Sequence, residues 1–239
     1  NNSTIVANQS SQGINQGVAK ALGISSTNTV TITDSQIQSS ASGLTAIGAD
    51  TSAFGIFGGS AMSNNSTIVA NQSSQGINQG TAQAFGILSN NAVTITGSQI
   101  QSSASGLTAI GADTSAFGIL ANSTINLLNS HVSANQLSSG SNFGVARAFG
   151  VFDVGAGTVI VDGGSVDSQT TGSAATGGLI NTVGIIAEGS ISFAGNQSKI
   201  TAISQTDSSA ATATAATSTT NTANAQCSSN NGTSYHPCP

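Results

Sequence analysis

One apolar position recurs down the chain at Ile5, Ile37, Ile68, Ile100, Val132, Val166 and Ile200, with steps of 32, 31, 32, 32, 34 and 34 residues. A second position, Ile24, Ile56, Ile87, Ile119, Val151 and Ile185, follows each of the first six after 19 residues. A sustained period of this length restricts a chain to folds that stack one small unit on the next. A longer identity lies over it. Asn1 to Phe57 reappears as Asn64 to Leu120, an offset of 63, with eight changes. An antiparallel sandwich carrying a tandem duplication would show only that longer repeat, so the shorter period argues for about seven stacked units of roughly 32 residues.

Each unit reads as three short strands. Val30-Thr-Ile-Thr33, Val93-Thr-Ile-Thr96, Val159-Ile-Val161 and Ile191-Ser-Phe193 precede the first anchor and are rich in β-formers. A second strand is centred on that anchor, and a third runs into the second anchor as Ala53-Phe-Gly-Ile56 and its repeats. Gly, Asn and Ser fill the corners, where the backbone needs conformations that bulkier residues resist. No unit can bury its own apolar line, because each strand offers only one or two inward residues. Stacking solves this. The fold expected is an all-β parallel solenoid, or β-helix. Its anchors form Ile/Val columns, Phe54, Phe85, Phe117 and Phe149 form a further ladder, and turns lie about 4.8 Å apart in a rod on the order of 30 Å long.

The columns fail after Ile203. The expected division is a solenoid over residues 1–204 and an Ala/Thr/Ser/Asn-rich tail or cap over 205–239. Cys227 and Cys238 lie close enough in that tail to close a small disulfide loop, worth on the order of 2–3 kcal/mol. This points to an oxidising compartment, hence a secreted or extracellular-surface protein. A metal site is not expected there, since only His236 lies nearby and about four ligands are needed. The chain starts at Asn1 and its single Met is Met62, which reads as a processed segment.

Charge narrows the partners. Only 5% of residues are charged, with Lys20, Arg147 and Lys199 against eight acids, so no basic stripe exists to neutralise a phosphate backbone. Nucleic acid is not an expected partner. Apolar runs fall well short of the roughly 20 residues of a spanning helix, so no membrane span is expected either.

Strings such as Val30-Thr-Ile-Thr-Asp-Ser-Gln-Ile37, followed by a Gly-containing return, resemble the right-handed parallel β-helix passengers of autotransporters and filamentous-haemagglutinin-type secreted adhesins. The resemblance covers about residues 1–204. Thr45 to Gly55 also resembles the head repeats of trimeric autotransporter adhesins, although here the motif recurs only in every second unit. Both resemblances imply secreted, surface-attached binding or structural proteins, and neither transfers catalytic residues.

The residues that could carry chemistry have blander readings. Asp50 and Asp113 are duplicates two turns apart, roughly 10 Å by the turn spacing, near the separation of an inverting glycosidase pair. Each owes its place to duplication, and no cation or aromatic sugar platform accompanies it, so a polysaccharide-acting β-helix enzyme stays a remote alternative. Asp162-Gly-Gly-Ser-Val-Asp167 lacks the calcium-roll pattern and reads as a turn. His131 alternates away from Val132 and should face solvent. The sequons at Asn2, Asn65, Asn122 and Asn196 are expected by chance in this composition. Ice binding is the sharper alternative, since Thr31 and Thr33 recur as Thr94 and Thr96, but Asn126, Leu127 and Val161 interrupt the later rows. The function expected is therefore non-enzymatic, with no cofactor or metal. It is an extracellular structural or adhesive solenoid, a surface filament subunit that self-associates head to tail through its ends or an adhesin segment, with a surface receptor or glycan as a further partner.

Overall fold

The computed structural model describes residues 2–11, 19–44, 51–75, 81–107, 113–139, 145–172, 179–194, 197–206, 211–216, 219–221, 225–229 and 236–237. These residues form 19 strands and no helix, all joined in one hydrogen-bonded sheet that winds into a parallel β-solenoid. The winding follows the sequence columns. Ile5 pairs with Ile37, Ile37 with Ile68, Ile68 with Ile100, Ile100 with Val132, Val132 with Val166 and Val166 with Ile200, every pair parallel. Ile24, Ile56, Ile87, Ile119, Val151 and Ile185 stack likewise on a second wall. Val30, Ala61, Val93, Ile125, Val159 and Ile191 stack on a third.

Inward residues of the three walls meet in one continuous core, in which Ile37, Ile56, Ile68, Ile87, Ile100 and Ile119 are all at most 1% exposed. Burying each such side chain contributes about 1.5–3 kcal/mol. The regular rod has about five turns of roughly 32 residues, fewer than the seven units counted from the anchors. The outer turns depart from the pattern. Ile5 and Ile24 are only partly buried at the first turn, and the last turn shrinks to strands Ala211–Ala216 and Thr219–Asn221. Strand pairing nevertheless runs past residue 204. Ala211–Ala216 adds to Leu179–Ala187, and Ala225–Ser229 adds to Ser198–Thr206. Ala215 and Ala216 enter the core there, Ala216 at the level of Ile185 and Ala215 at that of Gly184.

Two corner devices hold the walls together. At the corner before the anchor strand, Asp34, Asn65, Gly97 and Asn129 all adopt positive φ, between 46° and 55°. Short polar side chains and glycine tolerate that conformation. The next residue is a buried serine, and these serines form a ladder. The backbone N–H groups of Ser35, Ser66 and Ser98 donate to the hydroxyls of Ser66, Ser98 and Ser130 one turn on, at 3.1, 3.0 and 3.4 Å. Each hydroxyl also donates to the carbonyl two residues back, as Ser66 does to Asn64 at 2.7 Å and Ser130 to Leu128 at 2.8 Å. Polar backbone at a corner that no ladder could reach is thereby satisfied.

The other device is a glycine column, Gly23, Gly55, Gly86, Gly118, Gly150 and Gly184, one residue before the second anchor. A Cβ at Gly55 would lie 2.4 Å from Ile68 Cγ2 and 2.6 Å from the Gly86 carbonyl oxygen, and the others are as tight. Glycine is required here by close approach of the two walls rather than by turn geometry.

The phenylalanines lie in a cluster of their own. Ala53 groups with Ala41 and Ala70, and Ala84 and Ala116 with Ala104 and Ala134. Neighbouring side chains on a strand point to opposite faces, so Phe54, Phe85 and Phe117 stand on the other side of that wall. They stack at 5.0 and 4.9 Å with rings 4° from parallel, and Phe149 meets Phe117 edge-on at 5.4 Å. Leu88, Leu120, Phe152 and Ile186 pack against this ladder, separate from the central core.

Candidate functional site

The parts of the rod open to a partner are its outer faces and its ends. On the third wall, the register places Thr31, Met62, Thr94, Asn126, Ile160 and Ser192 in one outward row, and Thr33, Asn64, Thr96, Leu128 and Asp162 in the next. The threonine ladder is thus interrupted by Met62 and Asn64 and ends after Thr94 and Thr96. The interruption expected from Leu127 and Val161 is corrected. Both are buried in the core, stacked on Ile95, and the outward residue of that row is Leu128. A shallow cleft of about 300 Å³ lies on this wall, with Ile32 and Ser63 in its lining and Thr31, Thr33, Met62, Asn64, Thr94 and Thr96 around it.

The two ends differ. Among the described residues, Thr4–Ser11 of the first turn pairs only with Gln36–Leu44, and Ala19–Thr33 only with Thr51–Asn64. A cavity of about 160 Å³ opens there onto Ile5, Ile24, Ile32 and Ile37, and elsewhere on the first two turns Leu22 and Phe57 stand exposed. At the opposite end, His236–Pro237 folds back antiparallel on Ala225–Ser229, with Cys227 opposite His236. That return strand occupies the outer edge of the last anchor strand. Cys238 and the proposed Cys227–Cys238 bond lie outside the described residues, as does Asp50.

Asp113 is engaged structurally. One carboxylate oxygen accepts the Val145 N–H at 3.1 Å and the other lies 3.7 Å from the Arg147 guanidinium, both on the following turn. His131 does face outward, with its side chain 42% exposed, yet it is not alone. Its Nδ1 contacts Ser165 Oγ of the next turn, the Ser165 hydroxyl donates to Asp167 at 3.0 Å, and Asp167 lies 3.5 Å from the imidazole. The signal that could have found this group is the column itself, since His131 and Ser165 share one outward row. Among the described residues no three His, Cys, Asp or Glu side chains are placed to hold a metal ion, and no helix is long and apolar enough to cross a membrane. Asp162-Gly-Gly-Ser-Val-Asp167 forms the corner within strand Thr158–Gly172, with Gly163 and Gly164 at φ 75° and 84°.

Asp153 is the one fully buried carboxylate among the described residues. One oxygen accepts the Gly155 N–H at 3.0 Å and the other has no hydrogen-bond partner. Burial pushes its pKa above the ordinary value of 3.8; the Gly155 N–H opposes this and the Glu188 carboxylate adds to it. A carboxyl raised in the folded state holds its proton longer there than in the unfolded chain. Its contribution is therefore complete at acid pH and is lost as pH rises through the raised value. Asp153→Asn keeps the Gly155 contact and removes the charge. Urea midpoints should show the variant more stable than the parent by about 1–3 kcal/mol at neutral pH, with the gap closing as pH falls below the ordinary carboxylate range. A gap that stays constant with pH would refute the assignment.

Comparison of the chain with known protein families, with characterised proteins and with solved structures yields no match.

Proposed function

We propose that the protein is an extracellular structural and adhesive rod, a segment of a surface adhesin of the autotransporter or filamentous-haemagglutinin kind that also self-associates end to end. The observation that carries this reading is the unbroken parallel register from Ile5 to Ile200, one rung per turn along the anchor wall. Such a stack is stiff along its axis and holds long, flat, nearly uncharged outer faces at fixed spacing. That suits display and spacing, with a cell-surface receptor or a neutral glycan as the partner class.

Self-association draws support from the first turn, whose strand edges and apolar cavity match the surfaces that pair inside the rod. The antiparallel return at His236–Pro237 counts against a join there through the anchor wall, leaving the other two walls for contact with a second copy. Head-to-tail contacts of this kind do not close into rings. The hairpin also favours the Cys227–Cys238 bond and an oxidising location, because it returns the chain to Cys227 at His236, two residues before Cys238. Sedimentation and negative-stain microscopy of the purified chain over a range of concentrations test the reading. Rods that lengthen with concentration are expected; particles that stay single at every concentration would remove the self-association and leave the adhesin segment, and particles that are not elongated would remove both.

A further inference from the structure

Between the anchor wall and the second wall the interior is polar. The inward column two positions beyond Ser39 runs Gln9, Ala41, Gln72, Ala104, Gln136 and Thr170, alternating long amide with methyl for five turns. The next inward column reads Gly43, Ser74 and Gly106. Gln72 and Gln136 are 2% and 1% exposed, and neither atom of either amide has a hydrogen-bond partner; the Ser74 hydroxyl lacks one too. Three orphaned polar atoms therefore sit within one turn, at Gln72 and Ser74.

Leaving a buried donor or acceptor unmade costs about 1–3 kcal/mol, so several in one turn are a heavy load for a small protein. Small residues flank them. The turns above and below carry Ala41 and Ala104 next to Gln72, and Gly43 and Gly106 next to Ser74. Buried water fills such places, needing roughly two to four polar partners and space for one molecule. The hydroxyls of Thr51 and Thr114 add polarity from the second wall, 3.7 and 3.5 Å from where a Cβ on Gly43 or Gly106 would stand.

We propose that this seam is a set of internal water-binding sites, one at Gln72 with Ser74 and one at Gln136, separated by two turns. Water here completes the polar shell of each amide, and the alanine and glycine turns provide its space. The seam explains why the close duplication spans two turns, because a glutamine turn and an alanine turn together make one packing unit. The proposal does not depend on the adhesive reading.

The test is a crystal structure of the full chain at a resolution that shows ordered water, with Gln72→Met and Gln136→Met as single variants. Density within hydrogen-bond distance of the Gln72 amide and the Ser74 hydroxyl is expected, repeated at Gln136. Each variant should lose the water at its own turn and keep the other. A dry seam, or amides bonded directly to protein atoms, overturns the proposal, as does water unchanged in both variants. Should the variants not crystallise, magnetisation transfer from water to the Gln72 side-chain amide protons in the parent chain supplies the same decision: transfer from a long-lived water is expected, and its absence overturns the site.

Discussion

Gly118→Ala is expected to destabilise the protein by about 3 kcal/mol or more, at the upper end of what overpacking costs. The new methyl would stand 2.4 Å from the Gly150 carbonyl oxygen and 2.5 Å from Val132 Cγ1. Neither neighbour can withdraw. The carbonyl belongs to the glycine column, and Val132 is fully buried between Ile100 and Val166. Gly106→Ala is the control, because its Cβ would meet nothing closer than Thr114 Oγ1 at 3.5 Å, ordinary contact. Urea unfolding of both variants should give a large loss for the first and a small change for the second. Equal losses would mean that glycine is needed for chain flexibility and not for wall contact.

Ile100→Ala should cost about 4 kcal/mol, within the range for removing most of a buried aliphatic side chain. Ile100 is 0% exposed and stacked between Ile68 and Val132, each fixed by its own strand, so the walls cannot close over the void. In a stack each turn is stable only against its neighbours, so damage in the middle weakens both halves. Ile5→Ala removes the same atoms at the partly buried first turn and should cost well under half as much. Thermal or urea midpoints decide it. A penalty at Ile5 equal to that at Ile100 would contradict the nearest-neighbour account of the rod.

The solenoid itself was legible because its signal is carried by β-branched residues at fixed spacing, which few other pressures produce. The same signal misled at the edges. Leu127 and Leu128 are adjacent and both apolar, so hydropathy could not say which faces in; strand register can, by stacking Leu127 on Ile95. The strand pairing beyond residue 204 was hidden because Ala215 and Ala216 bring so little apolar surface to the core that composition reads as a tail or cap. The serine ladder at Ser35, Ser66, Ser98 and Ser130 was equally hidden, since serine abounds on the outer faces too. Only its repeated position after a left-handed residue marks it. For the polar groupings, His131 with Ser165 and Asp167 comes from adjacent turns and needs the register before it can be seen. Gln72 carries no signal of its own in a chain rich in amides; burial alone sets it apart.

The alternation of long and short side chains along the inner seam limits how such a gene can change in size. Excising or copying a single coil would set Gln9 directly against Gln72, or Ala41 against Ala104, crowding one level or hollowing out another. Unequal recombination should therefore yield viable products in even steps of 63 residues, the offset already written in the chain. Beyond Gln136, where Thr170 and Ser204 continue the row, that parity lapses and odd insertions become tolerable.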